Sequence, residues 1–326
     1  MTNIQTGTTP PSIQSNAADI TGRLVSTPAI LAGTSEGLWW IEPEPHLELK
    51  GHSIDALAIG QGKVWAIVDR HSVWQRDPNG EWHSLISGNH QRLNCLLQID
   101  QTIWVGASNT HLMQITNGSL NSIRSFDEVE GREEWYTPWG DPPDVRSMAV
   151  GTSGELYANI HVGGILRSLD AGLSWQPTID FHADVHQVCT VSNRPGLVLA
   201  ATAQGLAISS DAGDTWQFDR ANLHAPYSRA VAVCEDTILM TSSTGPQGNQ
   251  ATVYRRAIDQ PGTFQKCDRG LPEWFRGNIN TNCLSTYKQQ AAFGTKDGQI
   301  FISKDAALTW QQLATDLSLV QCLSFA

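Results

Sequence analysis

The chain alternates short apolar runs with turn residues, and one kind of run recurs along most of its length. It is a short apolar stretch with a single polar residue near its start. The pattern appears at Ile54-Asp55-Ala56-Leu57-Ala58 and Leu93-Asn94-Cys95-Leu96, then at Val145-Arg146-Ser147-Met148-Ala149 and Val185-His186-Gln187-Val188. It returns at Ser228-Arg229-Ala230-Val231-Ala232, Thr281-Asn282-Cys283-Leu284 and Val320-Gln321-Cys322-Leu323. A second apolar run follows the first six copies, at 63–68, 102–106, 155–159, 196–200, 237–241 and 290–294. Runs this short, bounded by Gly, Asn and Asp, predict strands rather than helices. Residues 29–33 carry the second-run pattern with no first run before them, while the copy at 319–325 has no second run after it. The two halves make one complete unit if the last strand joins the first.

The spacing then fixes the architecture. Measured at the polar position, the copies are 39, 52, 40, 43, 53 and 39 residues apart. An eight-residue phrase keeps a similar beat. It occurs as Ser168-Leu169-Asp170-Ala171-Gly172-Leu173-Ser174-Trp175, Ser209-Ser210-Asp211-Ala212-Gly213-Asp214-Thr215-Trp216 and Ser303-Lys304-Asp305-Ala306-Ala307-Leu308-Thr309-Trp310. Its Asp can accept backbone N–H groups of its own turn, Gly bends without steric cost, and Trp anchors the next strand. Degenerate turns stand at Asp77-Pro78-Asn79-Gly80 and Asn117-Gly118. Periods of this size match four-stranded propeller blades. The expectation is an all-β, seven-bladed β-propeller of four-stranded antiparallel blades. The C-terminal strand joins the first blade and removes the open edges. Residues 26–326 form the propeller domain, after a flexible leader over 1–25.

Composition narrows the setting. The formal charge of -11 argues against nucleic acid and anionic membrane surfaces as partners. The polar stretch Met1 to Asp19 lacks the apolar core of a signal peptide, and no run reaches membrane-spanning length, so the expected location is cytoplasmic. Cys95, Cys283 and Cys322 share one repeat position with Ala56, Ser147 and Ala230. That column calls for a small buried side chain, which a reduced cysteine supplies, and no CxxC spacing suggests a thiolate metal site.

Candidate chemistry lies where the repeat is broken. One long interval holds the insertion Glu128–Pro143, with Glu133, Glu134, Trp135, Tyr136, Trp139 and Asp141. The other splits its excess between 242–250 and 270–277, the latter with Trp274 and Arg276. Propeller topology sends these loops to one face, around blades four to seven. The inner-strand starts supply the floor: Asp144 with Arg146, Asp184 with His186, and Tyr227 with Arg229. Residues two apart on a strand share a face, so each pair points one way. Asn94 and Asn282 occupy the same column in blades three and seven.

Two chemistries suit this set. His161, His186 and His224 would hold a divalent transition metal such as Zn, Cu or Fe, with Asp144 or Asp184 as a further ligand or orienting partner. Alternatively Asp184, His186 and Tyr227 act as acid and base without metal, while Arg146, Arg229 and Arg276 grip an anionic substrate. Trp135, Trp139 and Trp274 would stack on a flat ligand or seal the loops. The bland alternative is a network of inter-blade polar contacts around a channel.

The eight-residue phrase resembles the Asp-box (BNR) repeat of sialidases, sortilin-type receptors and the photosystem II assembly propeller, in which the box is a structural turn. The segments Asn159-Ile160-His161-Val162-Gly163-Gly164, His182-Ala183-Asp184-Val185-His186 and Gly270-Leu271-Pro272-Glu273-Trp274 are similar to a bacterial group of sialidase-like or Ycf48-like propellers. That group implies no particular reaction. A sialidase would show an Arg-Ile-Pro motif where this chain has Gly22-Arg23-Leu24-Val25, and would have six blades. The leading expectation is a site for a small polar or anionic molecule at the face beside blades four to six. The alternatives are a non-catalytic scaffold that binds a protein partner and a glycosidase of sialidase type.

Overall fold

The computed structural model describes residues 28–88, 90–140 and 142–326. The expected leader and Asp141 therefore lie outside the described residues. Seven four-stranded antiparallel sheets form a closed ring of blades. In the first blade the strand Val320–Phe325 pairs with Ile30–Thr34, which continues into Gly37–Glu42 and His46–Glu48. The closing register sets Ala32 opposite Leu323 and Gly33 opposite Cys322. Among the described residues no helix is long and apolar enough to cross a membrane.

The polar residue in five of the inner strands has a structural cause. In blades two to five the pairing register slips at Asp55, Asn94, Arg146 and His186, and in blade one it slips at Gln321. Each is the extra residue of a β-bulge, a device that bends a strand and re-aims one side chain. The bulge frees that position from the apolar alternation of its strand, and the column of polar residues turns toward the ring's axis.

Blades six and seven depart from the expected strand starts. Their inner strands begin at Val231 and Leu284 rather than Ser228 and Thr281. Side chains take over the hydrogen bonds that the ladder would have made. The N–H groups of Arg229 and Ala230 donate to the Thr241 hydroxyl at 3.3 and 3.0 Å. The Thr281 hydroxyl reaches the carbonyls of His186 and Arg229 at 3.1 and 3.0 Å. Three blades are thereby tied together at the site described below.

Second strands are buried on both faces, as their uninterrupted apolar sequences demand. Val198–Thr202 and Leu156–Ile160 are buried at every residue. The cysteine column behaves as expected of small buried side chains. All six cysteines are unpaired, and burial pushes the Cys95 and Cys283 thiols up to about 12. Each column thiol abuts the neighbouring blade: Cys95 Sγ lies 3.8 Å from the Val145 carbonyl, and Cys322 Sγ lies 3.5 Å from that of Ile54.

The three eight-residue phrases build one and the same turn between third and fourth strands. Ser168 Oγ accepts the Gly172 N–H at 2.8 Å, and Asp170 accepts both the N–H and the hydroxyl of Ser174, at 2.8 and 2.6 Å. The second and third copies repeat these bonds. The hydroxyl and N–H of Ser174 hold the Asp170 carboxyl at about 2, and those of Thr215 do the same for Asp211. A depressed folded-state pKa contributes stability above the ordinary value of 3.8, and that contribution is lost as pH falls through about 2. Thermal midpoints should therefore fall more steeply between pH 4 and pH 2 in the parent than in an Asp170→Asn, Asp211→Asn double variant. Parallel curves would show that these turns add nothing.

Candidate functional site

At the mouth of the central channel, side chains from blades four, five and six converge. His161 follows the second strand of blade four, where its N–H donates to the Asp144 carbonyl at 2.9 Å. Asp184 and His186 flank Val185 at the start of blade five. Asp184 Oδ1 stands 3.2 Å from both His161 Nε2 and His186 Nε2. His186 is fully buried, and its Nδ1 donates to the Ser228 carbonyl at 2.6 Å. The Tyr227 ring packs against His186 with centroids 4.8 Å apart, and the His161 ring lies 5.6 Å from that of His186. Trp139, 59% exposed, leans over His161 at 5.2 Å.

The charges interlock. Burial pushes the His161 pKa down, and nearby Arg146 adds to the effect against the opposing pull of Asp184. Burial opposes ionisation of Asp184; a proton or other positive centre between its Oδ1 and the two imidazoles outweighs that and holds the carboxyl well below the ordinary carboxylate range. Arg146 is pushed down to about 10, first by desolvation and then by Arg229. Arg229 donates to Tyr227 Oη at 3.0 Å and to Asn280 Oδ1 at 3.2 Å. One nitrogen of each guanidinium, Arg146 Nη1 and Arg229 Nε, is buried with no hydrogen-bond partner.

Two connected spaces lead here. Arg146, Arg229, Asn94 and Asn282 line the channel, together with Asp55 and Asn280. Beside it a cleft of about 410 Å³ runs between Trp139, Asp144, Arg146 and His161.

The structure thus gathers Asp144, Arg146, Asp184, His186, Tyr227, Arg229, Trp139 and His161 around one mouth, with Asn94 and Asn282 in the channel wall. It does not gather the others. His224 sits apart, its Nδ1 3.0 Å from Tyr254 Oη and its ring between Tyr254 and Trp274. Asp184 is the residue that stands beside His161 and His186 in its place. Trp274 is capped by the Lys266 ammonium, 3.4 Å from its ring centroid. Trp135 packs on Phe126 beneath Arg132 and seals the insertion over the core. Arg276 is exposed and lines neither the cleft nor the channel.

Two contributors were not singled out from sequence. Arg92 pairs with Asp144 at 2.8 Å, and Asn280 receives Arg229. Both stand two residues before a polar-column position, as Asp144, Asp184 and Tyr227 do. The two-apart rule, extended to blades three and seven, would have found them.

No protein-family model matches the chain, and no curated relative matches its sequence. Similar solved structures exist at the level of fold. The GH74 enzyme of Niastella koreensis superposes with a TM-score of 0.60 at 12% identity, over 87% of this chain and 47% of that one. This chain thus spans about half the length of that enzyme. The RRP9 WD40 repeats give 0.61 at 14% identity, covering 86% of each chain. YCF48 bound to D1 peptide gives 0.53 at 12% identity, covering 93% of this chain and 98% of that one. These likenesses establish the propeller and leave the chemistry of its mouth to be argued from its own residues.

Proposed function

We propose that the channel mouth beside blades four to six binds a small anionic molecule. The observation that carries this reading is the pair of guanidinium groups, Arg146 and Arg229, lining one channel. Like charges brought together repel, and an anion between them relieves the repulsion. Planar, multiply donating Arg suits a carboxylate or another oxyanion better than a single point charge would. Trp139 adds a flat face on the cleft side. Asp184, His186 and Tyr227 stand behind these guanidiniums and line neither the channel nor the cleft, so no proton-transfer step is assigned to them. Binding rather than turnover is the function proposed.

The three Ser-x-Asp turns fit an Asp-box propeller, a resemblance that bears on architecture and leaves the ligand open. A second reading, a protein-binding scaffold, is favoured by Tyr136 and Trp139, 53% and 59% exposed on the insertion rim. YCF48, a neighbour in fold, is seen bound to a peptide.

Calorimetric titration of chelator-treated protein with phosphate, sulfate, and di- and tricarboxylates tests the first reading. One saturable site is expected for at least one class, weakened about tenfold or more in Arg229→Met. Absence of binding across the panel by folded parent protein would sink it. Tyr136→Ala is expected to leave anion affinity unchanged, and loss of partner capture in that variant alone would favour the scaffold.

A further inference from the structure

We propose that His161, Asp184 and His186 form a binding site for a divalent transition-metal ion. The argument starts from one hydrogen. His186 Nδ1 lies 2.6 Å from the Ser228 carbonyl, which can only accept, so Nδ1 carries a proton. In the neutral ring, Nε2 is then a lone pair. It points at Asp184 Oδ1, 3.2 Å away, which is also an acceptor. Both atoms are sealed from solvent, and neither makes an aligned hydrogen bond. Two buried acceptors facing each other at that distance repel, unless a positive centre sits beside them.

A metal ion supplies that centre, and the third donor is in place. The ligand atoms of His161, Asp184 and His186 lie within 4.8 Å of one another. Two imidazole nitrogens and one carboxylate oxygen suit zinc and its first-row neighbours, and suit calcium or magnesium poorly. The Ser228 carbonyl on the far nitrogen of His186 is the outer-shell contact that fixes tautomer and ring orientation in histidine metal sites. Three protein donors leave at least one coordination position, on the side of the cleft and of Arg146. An ion beside two guanidiniums favours an anion at that position, so the assignment deepens the anion-binding reading. It does not depend on that reading, because the three protein donors are in place without it.

The competing explanation needs no metal: a doubly protonated His186 would donate from Nε2 to Asp184. The two differ in what the protein takes up and in where protons sit. The experiment uses full-chain protein without an affinity tag, dialysed against a chelator and titrated with Zn²⁺ alone by calorimetry. Co²⁺ serves as an absorbing probe of the same site. One equivalent of Zn²⁺ is expected, with d–d bands from Co²⁺ in the tetrahedral or five-coordinate range. Asp184→Asn and His161→Ala are expected to weaken Zn²⁺ by about 100-fold, and His224→Ala not at all. His186→Ala is expected to do the same, but it removes a fully buried ring and is interpreted only where the fold is retained. The ¹⁵N spectrum of the untouched histidines guards against misfolded variants. In metal-free protein at pH 7 the proposal expects an unprotonated Nε2 on His186 whose resonance shifts when Zn²⁺ is added. No stoichiometric Zn²⁺ uptake, or a His186 protonated at both nitrogens and indifferent to Zn²⁺, would overturn the metal and leave the ion pair. Zn²⁺ binding without anion binding sinks only the anion reading, and the reverse result sinks only this one.

Discussion

Gly33→Ala is expected to destabilise the ring by about 2–3 kcal/mol, in the upper part of the range for overpacking a core. The position lies in the seam where the last strand meets the first blade, opposite Cys322. A Cβ there would stand 2.4 Å from Cys322 Sγ, 2.8 Å from the Ile54 carbonyl oxygen and 2.9 Å from Ile54 Cγ2. Real Cβ atoms do not approach so closely, so the closing strand or the second blade must shift. Neither can do so cheaply. Leu31 and Ile54 are buried on either side, and the Ile54 carbonyl also receives Gln321 Nε2 at 3.3 Å. Pairing the change with Cys322→Ala removes one of the three clashes and is expected to restore part of the loss, leaving the backbone contact unrelieved. Gly51→Ala is the useful contrast. Nothing lies within 4 Å of its Cβ, and only its φ of +86° opposes substitution, for about 1–2 kcal/mol. Chemical denaturation of the variants gives the measurement. If Gly33→Ala cost no more than Gly51→Ala, the seam would be looser than its packing indicates.

That seam is legible in the sequence, and the reason is physical. Pairing a strand with no predecessor to a strand with no successor leaves no open edge, so the closure follows from the repeat itself. The polar column was legible for a similar reason: a bulged residue escapes its strand's alternation, so Asp55, Asn94, Arg146, His186 and Gln321 interrupt apolar runs at the same place. The candidate site was legible chiefly at the strand starts, with His161 and Trp139 read from the loops beside them. Asp184 and His186 meet because they flank Val185 at a strand start, where the bulge at His186 re-aims its ring beside Asp184. His224 had no such guide. It sits in a loop whose path depends on what it packs against, and Tyr254 and Trp274 take its ring. Trp135 misleads in the same way, because an insertion large enough to carry aromatics also needs some of them, with Phe126, for a core of its own. Loop side chains are oriented by contacts distant in sequence, and period alone does not encode those contacts.

Arg146→Met should separate the needs of the fold from those of the site. Removing one member of a buried ion pair is ordinarily costly because the partner charge is stranded. Here no partner would be stranded. Asp144 keeps Arg92 at 2.8 Å, and Asp184 stands beside His161 and His186 whether or not Arg146 is present. What the change removes is a crowded guanidinium, held down at about 10 by burial and by Arg229, with a sealed nitrogen that nothing accepts. Methionine fills most of the same length without charge. Arg146 still reaches the channel with part of its side chain, which tempers the gain. Stability is expected to stay level or rise by up to about 1 kcal/mol. Anion affinity is expected to fall by about tenfold or more. Arg76→Met provides the comparison, since Arg76 grips Glu48 through both Nε and Nη2, at 2.9 and 2.7 Å, and shares that carboxylate with Trp82. Loss of Arg76 leaves the half-buried Glu48 underpaired and should cost about 1–3 kcal/mol. Denaturation midpoints and anion titrations on both variants decide the matter. If Arg146→Met lost as much stability as Arg76→Met while still binding the anion, Arg146 would be one more brace between blades. The opposite result would mark it as a residue the fold tolerates because the site requires it.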